Sequence, residues 1–238
     1  MRPKMVLFDY GGTILREPDV DFLRGERAVF EHVVSNPRRL TPEELSRFEN
    51  QIFRAWQPLR EAGYEPCELQ LLRFKYEYNE IELDVSLEEA ENILWDGACP
   101  RTDACRTPHI VETLEALRRL GIRSGVISNI GWSAEALRRR IDLLLPGNSF
   151  EFVIASSAYG VRKPDPRLFG LALRKARLPA EQVWFCGDTF ETDVVGAASA
   201  GILPVLYDTK NSGRTEDAPE HLTVSDWRQL VDLIEQND

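Results

Sequence analysis

The stretch KMVLFDYGGTI, residues 4–14, decides how this chain folds. Met5, Val6, Leu7 and Phe8 form an unbroken apolar run, as expected of a strand buried on both faces. Asp9 follows directly, then Gly11 and Gly12, so the strand ends in an acid and a tight turn. Similar short runs recur at 122–128 (IRSGVIS), 152–155 (FVIA), 183–187 (VWFCG) and 203–207 (LPVLY). Helical patterns lie between most of them. Thr107-Pro108 supplies an N-cap and first-turn proline ahead of Val111, Leu114, Leu117 and Leu120. Asp165-Pro166 repeats the device ahead of Leu168, Phe169, Leu171, Ala172 and Ala176. Such alternation predicts an α/β fold with a parallel, doubly wound sheet.

Residues 15–107 have another texture. No convincing strand is visible there, but two capping boxes are, Thr41-Pro-Glu-Glu44 and Ser86-Leu-Glu-Glu89. Leu45, Phe48, Ile52, Phe53 and Trp56 fall at helical spacing, and a second stripe runs through Leu69, Leu72, Tyr76 and Asn79. Ordinary helix and loop lengths give a bundle of about four helices. The expected organisation is therefore an α/β core of residues 1–14 and 108–238 with an inserted all-α cap, 15–107. The polar stretch 208–220 (DTKNSGRTEDAPE) reads as a surface loop, followed by a last short strand and a helix from about Asp226.

Composition narrows the function. Of 238 residues, 43% are apolar and 29% charged, which is ordinary globular composition, and charges interrupt every apolar run before it could span a bilayer. The apolar run at the N-terminus is too short for a signal peptide, so a cytoplasmic protein is expected. Cys67, Cys99, Cys105 and Cys186 form no CxxC pair and only three histidines exist, which argues against zinc and against a disulfide framework. The net charge of −10 disfavours nucleic acid and anionic membrane as partners. A small-molecule substrate is expected; nothing bears on oligomeric state.

In an open parallel sheet, ligands bind at the carboxyl ends of the strands. There the sequence offers Asp9-Tyr-Gly-Gly-Thr13, Ser128-Asn129, Val161-Arg-Lys163-Pro-Asp165 and Gly187-Asp188-Thr-Phe-Glu-Thr-Asp193. Carboxylates, a hydroxyl and a lysine on one edge form a phosphate-and-metal constellation. Asp9 can serve as a carboxylate nucleophile; its bland role would be a turn cap, but an acid straight after an apolar run is costly without a partner. Asp188 and Asp193 are candidate metal ligands, since two carboxylates about 4 Å apart repel by roughly 4 kcal/mol at an effective dielectric of 20 unless a cation joins them. Asp193 has a competing role as an acid in a first helical turn. Lys163, one of five lysines against 24 arginines, would neutralise the nucleophile and an incoming phosphate, the bland alternative being a solvated surface lysine.

In order and spacing, FDYGGTI, SNI, KPDP and GDTFETDVVGAASAG resemble the motifs of the haloacid dehalogenase superfamily, and the resemblance covers the whole chain. It implies a Rossmann-like core, an Mg²⁺-dependent phosphohydrolase acting on a small phosphorylated metabolite, and an aspartyl-phosphate on Asp9. Mg²⁺ would be held by Asp9, the Gly11 carbonyl, Asp188 and Asp193. The phosphate would meet Gly12, Thr13, Ser128, Asn129 and Lys163, with Ser128 and Lys163 also serving catalysis.

One position departs from the family. Most of its phosphatases carry a second Asp, two residues after the nucleophile, that protonates the leaving group; here Gly11 stands instead. Such acid/base groups typically contribute about 10²–10⁴-fold. Haloacid dehalogenases carry Tyr there and need no metal. Phosphonoacetaldehyde hydrolases carry Ala and use a cap lysine as a Schiff base, for which Lys75 is the one lysine within 15–107. A C–P bond hydrolase, a dehalogenase-like hydrolase and a catalytically silent phospho-ligand-binding protein are the alternatives.

Overall fold

The computed structural model describes residues 2–209 and 218–237. Among the described residues there are eight strands: β1 (Met5–Phe8), β2 (Val33–Ser35), β3 (Glu82–Leu83), β4 (Arg123–Ser128), β5 (Phe150–Ala155), β6 (Val183–Gly187), β7 (Leu203–Tyr207) and β8 (Leu222–Val224). Six of them form one parallel sheet in the order β5-β4-β1-β6-β7-β8. From central β1 the chain runs outward on one side through β4 and β5, then crosses to the other side for β6, β7 and β8. That reversal opens a crevice at the carboxyl ends of β4, β1 and β6. Alternate side chains of β1 serve opposite faces: Val6 and Phe8 join one buried cluster, Met5 and Leu7 another.

Four α-helices occupy the insertion, residues 15–107: α1 (Phe22–Phe30), α2 (Pro42–Glu61), α3 (Glu68–Tyr78) and α4 (Leu87–Ala98). Thr41 and Glu44 form the expected reciprocal box on α2. On α4, Ser86 caps the Glu89 N–H. The segment is not all-helical: β2 and β3 pair antiparallel within it. Three residues against two are too few to show a period of two, so this hairpin leaves no pattern to read. Leu45, Leu72, Tyr76 and Asn79 of the two expected stripes are buried, while Phe53 is exposed.

Five helices complete the core: α5 (Ile110–Arg119), α6 (Ala134–Leu144), α7 (Pro166–Ala176), α8 (Gly196–Ser199) and α9 (Trp227–Gln236). Asp165-Pro166 starts α7 and Asp226 caps α9, as the sequence suggests. Thr107 does not cap α5, whose N-cap is His109 in a left-handed conformation with φ 63°. The Thr107 hydroxyl instead donates to the carbonyls of Thr13 (2.7 Å) and Ile14 (3.1 Å), and accepts from the Trp227 indole at 3.1 Å. It thereby ties together the two strands of chain linking core and insertion, which also meet through Leu15 and Arg106. Most of the expected loop at 208–220, residues 210–217, lies outside the described residues. Among the described residues no helix is long and apolar enough to cross a membrane.

The insertion is fastened to the core beside this neck. Trp95 of α4 stacks on Trp132 with centroids 4.6 Å apart. Arg140 of α6 forks onto Glu17, contacts Asp96 at 3.3 Å and donates to the Cys99 carbonyl at 2.8 Å. Glu91 accepts from the Ser133 N–H at 2.7 Å. Side chains of the insertion and of the core share one buried cluster, in which Leu45, Leu72 and Trp95 join Trp132, Leu137 and Phe8.

Inside the insertion, Lys75 is fully buried and pairs with Glu26 and Glu49. Nearby Glu68 has a buried Oε1 without a hydrogen-bond partner. Burial, helped by Glu49 and Glu91 and opposed by Lys75, pushes its pKa up to about 8. An acid raised in the folded state contributes stability below its unfolded pKa and loses it as pH climbs through the folded value. Glu68→Gln is therefore expected to gain melting temperature relative to wild type as pH rises from about 5 to 8. A constant difference between the two melting curves across that range would contradict this.

Candidate active site

Asp9, Ser128 and Asp188 stand at or directly after the ends of β1, β4 and β6, while Lys163 and Asp193 come from the segments that follow β5 and β6. Asp9 leaves β1 with its N–H donating to the Cys186 carbonyl of β6 at 2.8 Å, which fixes its backbone beside the fourth motif. Gly12 then takes φ +74°, and a Cβ there would lie 2.2 Å from Asp188 Oδ2. Only glycine satisfies both the turn and that close approach. Gly12→Ala is accordingly expected to displace the Asp188 carboxylate, weakening divalent-ion binding at least about ten-fold, a loss of 1.4 kcal/mol; calorimetric titration with Mg²⁺ checks this. Gly11 sits in open space, with nothing within 4 Å of a Cβ built on it.

Lys163 comes from the loop before α7 and is 2% exposed. Its Nζ donates to Asp9 Oδ1 and to Asp193 Oδ1, both at 2.7 Å, and lies 4.9 Å over the Phe185 ring. Burial alone would lower its pKa, but Asp9 and Asp193 outweigh it and raise it, so the lysine stays charged. Asp193 is 1% exposed and belongs to a π-helical turn, Phe190–Val195. It does more than complement a helix end: Oδ2 accepts the Thr189 N–H at 3.0 Å while Oδ1 holds the lysine. Gly187 makes room for it, since a Cβ there would lie 2.4 Å from the Asp193 carboxyl.

Asp9, Asp188 and Asp193 each offer one carboxylate oxygen within 4.8 Å of the others. Burial lifts Asp9 to about 7, against the pull of Lys163 and with a push from Asp193 and Asp188. Asp188 is raised by burial and by Asp193. When all three ionise, Lys163 leaves the cluster two negative charges in excess. A hard divalent cation with oxygen ligands fits that donor set, and would relieve the mutual repulsion that adds to burial in raising Asp9 and Asp188.

A cavity of about 410 Å³ opens over the cluster, lined by Asp9, Gly11, Ser128, Asn129, Arg162, Lys163 and Asp188 among others. Ser128 is buried at its edge. Asn129, expected to touch phosphate, has another task as well: its amide accepts from the Lys163 N–H at 2.7 Å and donates to the Lys163 carbonyl at 2.9 Å. It positions the lysine. Thr13 is fully buried, its hydroxyl without a hydrogen-bond partner, and neither it nor Gly12 is among the residues lining the cavity. Sequence reasoning passed over Arg162, which lines the cavity next to Lys163, and Glu65, which holds it.

The chain belongs to the haloacid dehalogenase-like hydrolase family, whose model matches residues 3–201. Haloacid dehalogenase-like hydrolase domain-containing protein 3 of Danio rerio is 34% identical over 115 residues, covering 48% of this chain and 46% of that protein. Glyceraldehyde 3-phosphate phosphatase of Methanothermobacter thermautotrophicus is 34% identical over 135 residues, covering 53% of this chain and 58% of that one. The matches thus span about half the length of these curated relatives. Among solved structures, a 2-haloacid dehalogenase from Pseudomonas syringae pv. Tomato DC3000 superposes with a TM-score of 0.68 at 20% identity, covering 99% of this chain and 100% of that one. At that identity the likeness speaks for the fold.

Proposed function

We propose that this chain is an Mg²⁺-dependent phosphohydrolase of small phosphorylated metabolites, working through an aspartyl-phosphate on Asp9 under a cap formed by residues 15–107. The observation that carries this is buried Asp9 and Asp193 bridged by Lys163, with the exposed Asp188 carboxylate beside them, under one small cavity. Asp9, Asp188, Asp193 and the Gly11 carbonyl would hold Mg²⁺, which when bound supplies charge neutralisation to carboxylates and substrate phosphate.

The remaining work falls to the side chains. Asp9 Oδ1 is held by Lys163, while Oδ2 has no hydrogen bond among the described residues and is the attacking atom. It forms a bond to phosphorus as the bond to the leaving oxygen breaks; water then cleaves the aspartyl-phosphate and releases phosphate. Lys163 stabilises charge on both carboxylate and phosphate, Asn129 fixes the lysine backbone, and Ser128 is placed to donate to a phosphate oxygen.

Two rival readings lose support. A Schiff base needs a neutral, reachable amine, whereas Lys75 is fully buried between two glutamates that hold its pKa up despite burial. Metal-free dehalogenation leaves Asp188 without a role, because Asp193 already holds Lys163. The curated phosphatase relative is in keeping with phosphate chemistry. Phosphate release from a panel of phosphorylated metabolites, with and without Mg²⁺, tests the proposal; release from none of them would defeat it.

The absent acid at Gly11 leaves its own mark. Glu17 cannot stand in, because Arg140 grips both its oxygens and Tyr10 donates to Oε1 at 2.8 Å. Aryl and acyl phosphates, which need little leaving-group protonation, should be turned over far faster than alkyl phosphates. Gly11→Asp meets no atom within 4 Å at its Cβ and requires no left-handed backbone. It is expected to raise alkyl-phosphate turnover at least about ten-fold, toward the 10²–10⁴ of an acid/base group. Unchanged alkyl rates in a folded variant would mean that another residue already fills this role.

A further inference from the structure

The Lys163 loop meets the cap along a short antiparallel seam. The Arg162 N–H donates to the Gly63 carbonyl and the Glu65 N–H to the Gly160 carbonyl, both at 3.1 Å, with Tyr64 bridging Val161 between them. This pairing carries Glu65 into the interior, where it is 3% exposed. Its carboxylate accepts from Ser156 Oγ at 3.1 Å and makes ion pairs with Arg60 at 3.2 Å and Arg162 at 3.5 Å. Two guanidinium groups thus share one carboxylate, leaving a single positive charge in excess.

Arg162 is the member of that trio that reaches the cavity over Asp9 and Lys163. Among the described residues its guanidinium makes no hydrogen bond; the ion pair with Glu65 is its recorded contact. Burial, with Arg60 nearby, lowers its pKa from the ordinary value against the opposing effect of Glu65, as for a cation short of anionic partners. A half-buried guanidinium with spare donors, on a residue that lines a small-molecule cavity, is suited to fork onto a planar anion.

We propose that Arg162 forms a second anion subsite that selects substrates bearing a carboxylate beside the phosphate, with Glu65 as its positioning residue. Substrate turnover in this form rests on the phosphohydrolase function above, but ligand binding does not. A carboxylate is favoured over a second phosphate on two grounds. The guanidinium fork matches its planar pair of oxygens, and one surplus positive charge balances a monoanion and not a dianion. The net charge of −10 makes the case sharper, because the molecule as a whole repels every added negative charge on a ligand.

The test uses two uncleaved probes of nearly equal shape, phosphonoacetate and phosphonoacetamide, which keep the same phosphonate and differ only in a carboxylate or an uncharged amide, titrated calorimetrically into the full chain with Mg²⁺. Wild type is expected to bind phosphonoacetate at least about ten-fold more tightly, the scale of one charge-assisted fork. Arg162→Met should bring the ratio close to one, Arg162→Lys should restore part of it, and Glu65→Gln should lower it. Equal affinity of wild type for the two probes, or failure to bind either, overturns the proposal without any variant. So does a preference that survives in a folded Arg162→Met protein. Phosphate release from carboxylate-free esters is scored separately. Turnover without probe preference removes the subsite alone, and probe preference without turnover removes the phosphohydrolase alone.

Discussion

Asp9→Asn is expected to lower turnover by about 10⁴-fold or more, the size of loss seen when a nucleophile is removed. The fold should not suffer. The amide has the shape of the carboxylate, its oxygen can still accept the Lys163 ammonium, and the backbone bond to Cys186 is untouched. Stability should in fact improve in metal-free buffer at alkaline pH. Burial raises the folded-state pKa of Asp9 from 3.8 to about 7, so its contribution is complete below the unfolded value and is lost as pH rises through 7. Asparagine never ionises and avoids that loss. The variant should melt above wild type at pH 8 without metal, while circular dichroism stays unchanged. Turnover within ten-fold of wild type would take the nucleophile's role from Asp9.

Chelation is expected to have an effect of similar size. EDTA should abolish phosphate release and added Mg²⁺ should restore it. At a hundred times its dissociation constant, an ion that binds only the folded state contributes about 2.7 kcal/mol, or roughly 5–10 °C in melting temperature for a chain of this length. That gain should grow between pH 6 and pH 8. Asp9 and Asp188 are both raised in the metal-free protein, so at the lower pH protons compete with the ion for the same oxygens. Full activity in chelator, or a melting shift independent of pH, would point to chemistry without a metal.

The sheet was legible because burial leaves a strong trace. A strand at the centre of a parallel sheet is covered on both faces, so MVLF could hardly have been anything else, and β6 and β7 are apolar for the same reason, while β4 and edge strand β5 keep a shorter apolar run. The convergence of Asp9, Lys163, Asp188 and Asp193 followed from a rule about strand ends, and the distances now agree with it. What escaped detection was set by distant parts of the chain. Thr107 carries every sign of a helix cap, yet its hydroxyl is taken by the carbonyls of Thr13 and Ile14 and α5 starts later. Asn129 lies beside the expected phosphate site, but its amide is matched to the backbone of Lys163. Glu65 and Arg162 belong to different lobes, and no local pattern announces an ion pair between them.

The indole stack between Trp95 and Trp132 has a consequence for observing this protein at work. One ring rides on α4 of the cap and the other belongs to the core, 4.6 Å apart and within 7° of parallel, with the Arg140 guanidinium 5.1 Å above Trp95. Two chromophores so close couple optically, and a neighbouring cation shifts the emission of the ring beneath it. Any movement of the insertion away from the core would part this pair, whereas Trp184 and Trp227 are buried in the core and would keep their surroundings. The chain thus carries its own label-free gauge of how the insertion sits on the core, readable by near-ultraviolet dichroism or stopped-flow fluorescence when a phosphorylated compound is added.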